Sequence, residues 1–338
     1  MQYEDQLKKT AKAMAATGKG LLAADESSGT IAKRFDSVGQ ENTEETRRSY
    51  RQLLLTAPGI EQYLSGVILY DETIRQATDS GQPFAEALKA NGIIPGIKVD
   101  IGAKDLPFHP GEMVTEGLDG LRERFAEYAE LGAGFAKWRA VITIIGDDKP
   151  SDACLTANAH ALARYAALAQ EAGIVPIIEP EVLLDGDHSI ERCYEVVGQT
   201  LDACFAALKN QGVMLEGTIL KTSMVLSGKD ASNRADVQTV AAKTVEVLKA
   251  HVPENLAGVV FLSGGQEAVE ATAHLDAMNK IGGCPWPLTF SYSRAIQEPV
   301  LKLWAAGQSD EAVKVYLHRL EANSLASKGQ WSESFENA

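Results

Sequence analysis

Residues 134–141 read GFAKWRAV, residues 174–182 read IVPIIEPEV, and residues 218–225 read TILKTSMV. Each run is short, apolar and of strand length, yet each carries charge at positions a barrel interior would fill with Val, Ile or Leu. Residues two apart in a strand share a face. Lys137 and Arg139 therefore point together, as do Glu179 and Glu181, while Ala136, Trp138 and Ala140 face the other way, toward covering helices.

Five further runs flank these three: GLLAAD (20–25), SGVILYDE (65–72), IPGIKVD (94–100), GVVFLSGG (258–265) and PLTFSYSR (287–294). Between the runs lie segments of helical period, such as TEETRRSYRQLLLTA and SIERCYEVVGQTLDACFAALK, and two more helical stretches follow the last run, near 295–306 and 309–327. Thr43 is placed to cap a helix, and Gly132 and Gly173 sit where helices end. Strand and helix alternating eight times predicts an α/β fold, a single (β/α)8 TIM barrel with extra C-terminal helices. A doubly wound open sheet is the alternative, and the count of eight favours closure. No internal repeat or Pro/Gly/Ser-rich linker interrupts the chain, so 1–338 reads as one domain, with a mobile tail over about 329–338.

Composition narrows the function. The formal net charge is -14, which argues against nucleic acid and against anionic membranes as partners. Four cysteines (Cys154, Cys193, Cys204 and Cys284) form no C-x-x-C pair and read as reduced thiols of a cytoplasmic protein. The N-terminus has no apolar signal-peptide core, and no apolar run reaches the length of a membrane span. The six histidines show no H-x-H or H-x-x-H spacing, so no metal is expected.

What remains is charge at one end of the barrel. Asp25 ends the first run, Lys98 and Asp100 the third, Lys137 and Arg139 lie in the fourth, Glu179 and Glu181 in the fifth, Lys221 in the sixth, and Arg294 follows the eighth. A buried salt-bridge network without chemistry is the alternative reading, but so many strands charged at the catalytic end argue for a site. A buried lysine is a natural nucleophile toward a carbonyl once its amine is neutral. Lys221 has a second cation, Lys137, two strands away to depress its pKa, and carboxylates between them to move protons. Ser263-Gly264-Gly265 after the seventh strand, opening a helix at Gln266, forms a phosphate cradle of backbone N–H groups, and Arg294 adds a cation for the same phosphate.

Seven segments carry a resemblance: LLAADESSGTIAKRF, GIKVDIG, FAKWRAV, PIIEPEVLLDGDH, EGTILKTSMV, VVFLSGGQ and LTFSYSRA. Together they resemble the class I, Schiff-base fructose-1,6-bisphosphate aldolases from about residue 18 to about 328. The resemblance implies a metal-independent lyase of glycolysis and gluconeogenesis, with no cofactor, sugar-phosphate substrates and a tetrameric assembly. By the same resemblance Lys221 matches the Schiff-base lysine, Glu179 the acid/base that dehydrates the carbinolamine, and Glu181 the carboxylate that positions the lysine. Lys137 and Arg139 match the amine near the carbonyl and a substrate-binding arginine, and Asp25 the aspartate at the C3 and C4 hydroxyls. Arg34, Ser263, Gly264, Ser291 and Arg294 match contacts to the C1 phosphate, while Ser27, Thr30 and Lys98 match the neighbourhood of the C6 phosphate. Two departures stand out: Ser293 replaces the glycine of the family's TFSYGR, and the segment ends in FENA where muscle-type relatives carry a tyrosine. Rival readings are a transaldolase, a monophosphate-specific aldolase, or a non-catalytic barrel protein.

Overall fold

The structure is a computed structural model and describes residues 2–337. Among these, ten strands form: β1 (Gly20–Ala24), β2 (Leu64–Leu69), β3 (Ile94–Lys98), β4 (Ala103–Asp105), β5 (Met113–Thr115), β6 (Phe135–Ile142), β7 (Val175–Val182), β8 (Ile219–Thr222), β9 (Gly258–Phe261) and β10 (Leu288–Tyr292). Eight of them are parallel neighbours in a closed ring that follows chain order, β1-β2-β3-β6-β7-β8-β9-β10 and back to β1. The expected (β/α)8 barrel is present, and each of its strands falls within or beside one of the eight apolar runs. The remaining two, β4 and β5, make a separate antiparallel hairpin, which the sequence pattern did not suggest.

The side-chain alternation sorts two layers. Leu21, Ala23, Ile68, Phe135, Val175, Ile177, Ile219 and Val260 fill the barrel interior. Ala136, Trp138, Ala140, Ile178 and Leu220 belong to the larger outer core under the helices. There Trp138 stacks on Tyr165 at 5.6 Å between ring centroids. Burying a large aromatic or aliphatic side chain contributes about 1.5–3 kcal/mol, so this outer layer supplies most of the barrel's cohesion.

The helices follow the periodic segments: Glu44–Thr56, Asp152–Glu171, Ile190–Asn210, Val237–His251, Arg294–Ala305 and Ser309–Ala326 among them. Thr43 caps the first, its Oγ1 accepting from the Thr46 N–H at 3.1 Å. Three helices lay outside the sequence reading, one of them the short Asp71–Ile74 after β2. Glu4–Met14 brings Leu7, Ala11 and Met14 against the inner cluster at the N-terminal end of the barrel, and Ser28–Asp36 follows β1 directly, held by Ile31 and Phe35. The helix expected to open at Gln266 starts at Ala268 instead. Gly264 and Gly265 take positive φ (53° and 91°), and the turn they form spends the Gln266 N–H on the Ser263 carbonyl. Within 329–337, the expected tail, Trp331 is buried, its indole donating to Glu336 at 2.9 Å, and Phe335 stacks on His318. No helix among the described residues is long and apolar enough to cross a membrane.

Phe135 fills the interior because two glycines face it. A Cβ on Gly66 would stand 2.8 Å from its ring, and one on Gly96 would intrude further. Gly96→Ala is expected to cost about 1–3 kcal/mol by overpacking, read as a lowered urea midpoint, and adding Phe135→Leu should restore part of the loss. Equal midpoints for Gly96→Ala and the parent would contradict this packing.

Candidate active site

The register of the barrel assembles the charged cluster. Arg139 lies level with Glu179 and Val141 with Glu181 across β6 and β7, and Ile178 pairs with Leu220 across β7 and β8. Glu179 and Lys221 each follow those last partners by one residue, at the C-terminal side of their strands. Their side chains meet inside: Lys221 Nζ is 3.0 Å from Glu179 Oε1. The other oxygen of Glu179 is 3.1 Å from Lys137 Nζ, which also reaches Asp25 Oδ2 at 2.8 Å. A chain Lys221–Glu179–Lys137–Asp25 therefore runs across β8, β7 and β6 to the residue that follows β1, with each of the four residues at most 9 % exposed.

Charges buried this deeply persist only when paired, and their protonation reflects it. Burial works to raise the Asp25 carboxyl, but Lys137 and Lys221 outweigh it and hold Asp25 well below the usual carboxylate range. Burial likewise pushes Glu179 up, and Lys137, Lys221 and Arg139 bring it below its ordinary value. Burial opposes the charge on Lys137, yet Asp25 and Glu179 raise its pKa above that of a free lysine. Lys137 is thus a fixed cation.

Around this chain opens a cleft of about 620 Å³ at the C-terminal mouth of the barrel. Asp25, Ser27, Thr30, Arg34, Lys98, Lys137, Arg139, Glu179, Glu181, Lys221, Ser263, Gly264, Ser291 and Arg294 all line it. Two residues singled out in the sequence lie outside this lining: Gly265, exposed beside the Arg294 guanidinium, and Asp100, which lines the adjoining cavity. Eight lining side chains are basic and five acidic, a local positive excess in a chain of net charge -14. Among the described residues, the Gly264 and Gly265 N–H groups meet no acceptor, and the buried Ser291 Oγ has no hydrogen-bond partner either. These donors, with Arg294, form one anion end of the cleft.

A second cavity of about 580 Å³ adjoins the first and shares Ser27, Thr30, Lys98 and Arg139. Lys98 Nζ donates to Asp100 Oδ1 at 2.6 Å, and the Ser27 and Thr30 hydroxyls lie 3.1 Å apart. Glu181 pairs with Arg139 Nε; the carboxylate in contact with Lys221 is Glu179.

Several lining residues escaped the sequence reading. Glu26 is buried beneath the first anion end, paired with Arg34 and, at 2.5 Å, with Arg51 from the helix Glu44–Thr56. Gln297 donates to Glu26 at 2.9 Å, and Lys33 and Lys302 complete the rim. The signal for this layer was the i,i+4 pair Ile31 and Phe35, which marks Ser28–Asp36 as a helix and turns Arg34 back toward Glu26.

Comparison with known proteins agrees with this geometry. The family model described as "Glycolytic: Fructose-bisphosphate aldolase class-I" matches residues 6–338. A probable fructose-bisphosphate aldolase class 1 of Xanthomonas axonopodis pv. citri is 59% identical over 330 residues, covering 97% of this chain and 98% of the relative. The fructose-bisphosphate aldolase of Dictyostelium discoideum is 48% identical, covering 98% and 94%. A crystal structure of the Plasmodium falciparum aldolase, in complex with TRAP and a small-molecule inhibitor, superposes with a TM-score of 0.96 at 46% identity, covering 98% of this chain and 96% of that one. A barrel of this topology, a buried lysine pair bridged by one carboxylate and a match along almost every residue lead to one conclusion: the chain belongs to the class I fructose-bisphosphate aldolase family.

Proposed function

We propose that Lys221 is the amine through which this class I aldolase reversibly cleaves fructose 1,6-bisphosphate to dihydroxyacetone phosphate and glyceraldehyde 3-phosphate. The observation that carries the assignment is the 3.0 Å contact between Lys221 Nζ and Glu179 Oε1 inside the barrel. Moving one proton along that contact converts an ion pair into a neutral amine and a carboxylic acid, the two species that attack on a carbonyl and dehydration require.

The steps follow from that proton. Lys221 adds to C2 of the open-chain ketose, and proton transfer gives a carbinolamine. Glu179 protonates the departing hydroxyl, water leaves, and an iminium remains beside the Glu179 carboxylate. That carboxylate takes the C4 hydroxyl proton, the C3–C4 electron pair flows into the iminium, and glyceraldehyde 3-phosphate departs. Glu179 now holds a proton for the enamine carbon, and hydrolysis frees dihydroxyacetone phosphate. Lys137 supplies fixed positive charge where oxygen becomes anionic, and Asp25, tied to it, faces the C3 and C4 hydroxyls. Arg139 binds substrate, and Glu181 keeps Arg139 in place. Arg34, Ser263, Gly264, Gly265, Ser291 and Arg294 take the C1 phosphate; Ser27, Thr30 and Lys98 take the C6 phosphate. Two anion-binding ends favour a bisphosphate over a monophosphate. We assign the chain to the cytoplasm as a homotetramer of single-domain protomers; relatives from Arabidopsis thaliana named as cytosolic support the compartment.

Borohydride treatment with dihydroxyacetone phosphate should trap a covalent adduct at Lys221. Lys221→Met should form none, keep its circular dichroism spectrum and lose at least about 10⁴-fold in turnover. An adduct on another lysine would overturn the assignment. Lys98→Ala should lower kcat/KM for fructose 1,6-bisphosphate about tenfold or more, a charged contact being lost, while leaving fructose 1-phosphate cleavage less affected. Sedimentation equilibrium tests the tetramer.

The charge chain also sets a pH response. The depressed carboxyls Asp25 and Glu179 contribute stability above their ordinary values of 3.8 and 4.5, lost as pH falls through the native ones. Raised Lys137 contributes below 10.5, lost as pH climbs through its native value. Lys137→Met strands two buried carboxylates, so its thermal midpoint should drop most above about pH 5, with the gap to the parent narrowing toward pH 3 as both carboxyls protonate. A gap independent of pH would contradict the pairing.

A further inference from the structure

We infer that Ser293 is a positioning residue for the C1-phosphate end of the cleft: its side-chain hydroxyl clamps Arg34 against Glu26 and so presets the guanidinium for an incoming phosphate. This rests on the proposed assignment of that end to the C1 phosphate and adds to it a hydroxyl that acts through Arg34.

The first observation is what Ser293 does not do. It is the N-cap of the helix Arg294–Ala305, a place where serine ordinarily accepts from a backbone N–H two or three residues on. Here the side chain makes no capping hydrogen bond. The hydroxyl turns instead into the layer beneath the cleft.

There it is fully used. It donates to Glu26 Oε1 at 2.8 Å, accepts from Arg34 Nη2 at 3.0 Å, and receives a longer contact from Gln297 Nε2 at 3.2 Å. A hydroxyl has one proton and two lone pairs, so these contacts exhaust it. Gln297 makes shorter bonds to the Ala23 carbonyl at 2.6 Å and to Glu26 at 2.9 Å, so its share in the hydroxyl is the weakest.

The second observation is the geometry of Arg34. Its Nη1 contacts the same Glu26 oxygen that Ser293 donates to. Both terminal nitrogens are thereby anchored on one side, Nη1 by carboxylate and Nη2 by hydroxyl. A guanidinium held at a single nitrogen swivels about that contact; held at two, its plane is fixed. The Arg34 side chain keeps 19% of its surface exposed and lines the cleft together with Ser291 and Arg294. Glu26 is itself immobilised by Arg51 from below. With the hydroxyl removed, Arg34 keeps Glu26 alone and must be ordered when the phosphate binds, a cost that preorganisation otherwise removes in advance.

The test compares Ser293→Ala and Ser293→Thr with the parent, using inorganic phosphate as the probe in titration calorimetry and fructose 1,6-bisphosphate in steady-state kinetics. Ser293→Ala should weaken phosphate binding about three- to tenfold, the scale of one hydrogen bond to a charged group partly felt on binding. Its KM should rise by more than its kcat falls. Ser293→Thr, which keeps the hydroxyl, should bind phosphate within about twofold of the parent. Thermal midpoints close to the parent's show that both variants fold. The proposal is overturned if Ser293→Ala binds phosphate as the parent does or tighter, if kcat falls with phosphate affinity intact, or if Ser293→Thr is as weak as Ser293→Ala. Calorimetry with phosphate needs no turnover, so a parent that binds phosphate yet traps no Lys221 adduct would fault the Schiff-base assignment and leave the role of Ser293 standing.

Discussion

A carboxylate flanked by two lysines at 3.0 and 3.1 Å, all three out of water, is the constraint to which the rest of this molecule answers. Removing either neighbour would leave an uncompensated charge in a dry interior, at a cost of several kcal/mol. The charges are tolerable only because β6, β7 and β8 hold them in one register, and because Asp25 on the far side of Lys137 adds the second carboxylate that the two lysines need. Charge balance and strand pairing are thus one requirement, met by the closed ring.

The same ring separates stability from chemistry. The inner cluster of Phe135, Ile177, Ile219 and Val260 lies toward the N-terminal end of the strands, and the charged chain follows it toward the C-terminal end. The outer core under the helices holds the strands without sharing atoms with the reacting groups. A layered barrel can therefore keep tight, glycine-accommodated packing at one depth while carrying fixed charge a few residues further along the same strands.

Much of this was legible in the residues. Eight short apolar runs were enough for the barrel, because a parallel strand covered on both faces leaves an uninterrupted apolar signal. Lys137 with Arg139, and Glu179 with Glu181, were readable by parity alone. Partner choice was not. That Glu179 rather than Glu181 meets Lys221 depends on how far each side chain sits along the axis, and alternation does not report depth. The helix Glu4–Met14 was hidden by its polar outer face, and the helix Ser28–Asp36 by the Ser-Ser-Gly that precedes its two apolar anchors. Glu26 and Arg51 were invisible because each looks like an ordinary surface charge until the fold joins them.

The helix Glu4–Met14 has a kinetic meaning. By setting Leu7, Ala11 and Met14 against the interior, it stoppers the barrel at the end away from the charged cluster. Entry and departure then share a single gate. When a six-carbon chain is cut in two inside such a chamber, the half bonded to the protein cannot slip past the half that is free. The covalent bond then sets the order, the free aldehyde fragment leaving first and in the condensing direction arriving last, while the packed interior and the helix beneath it leave the mouth as the shared way in and out.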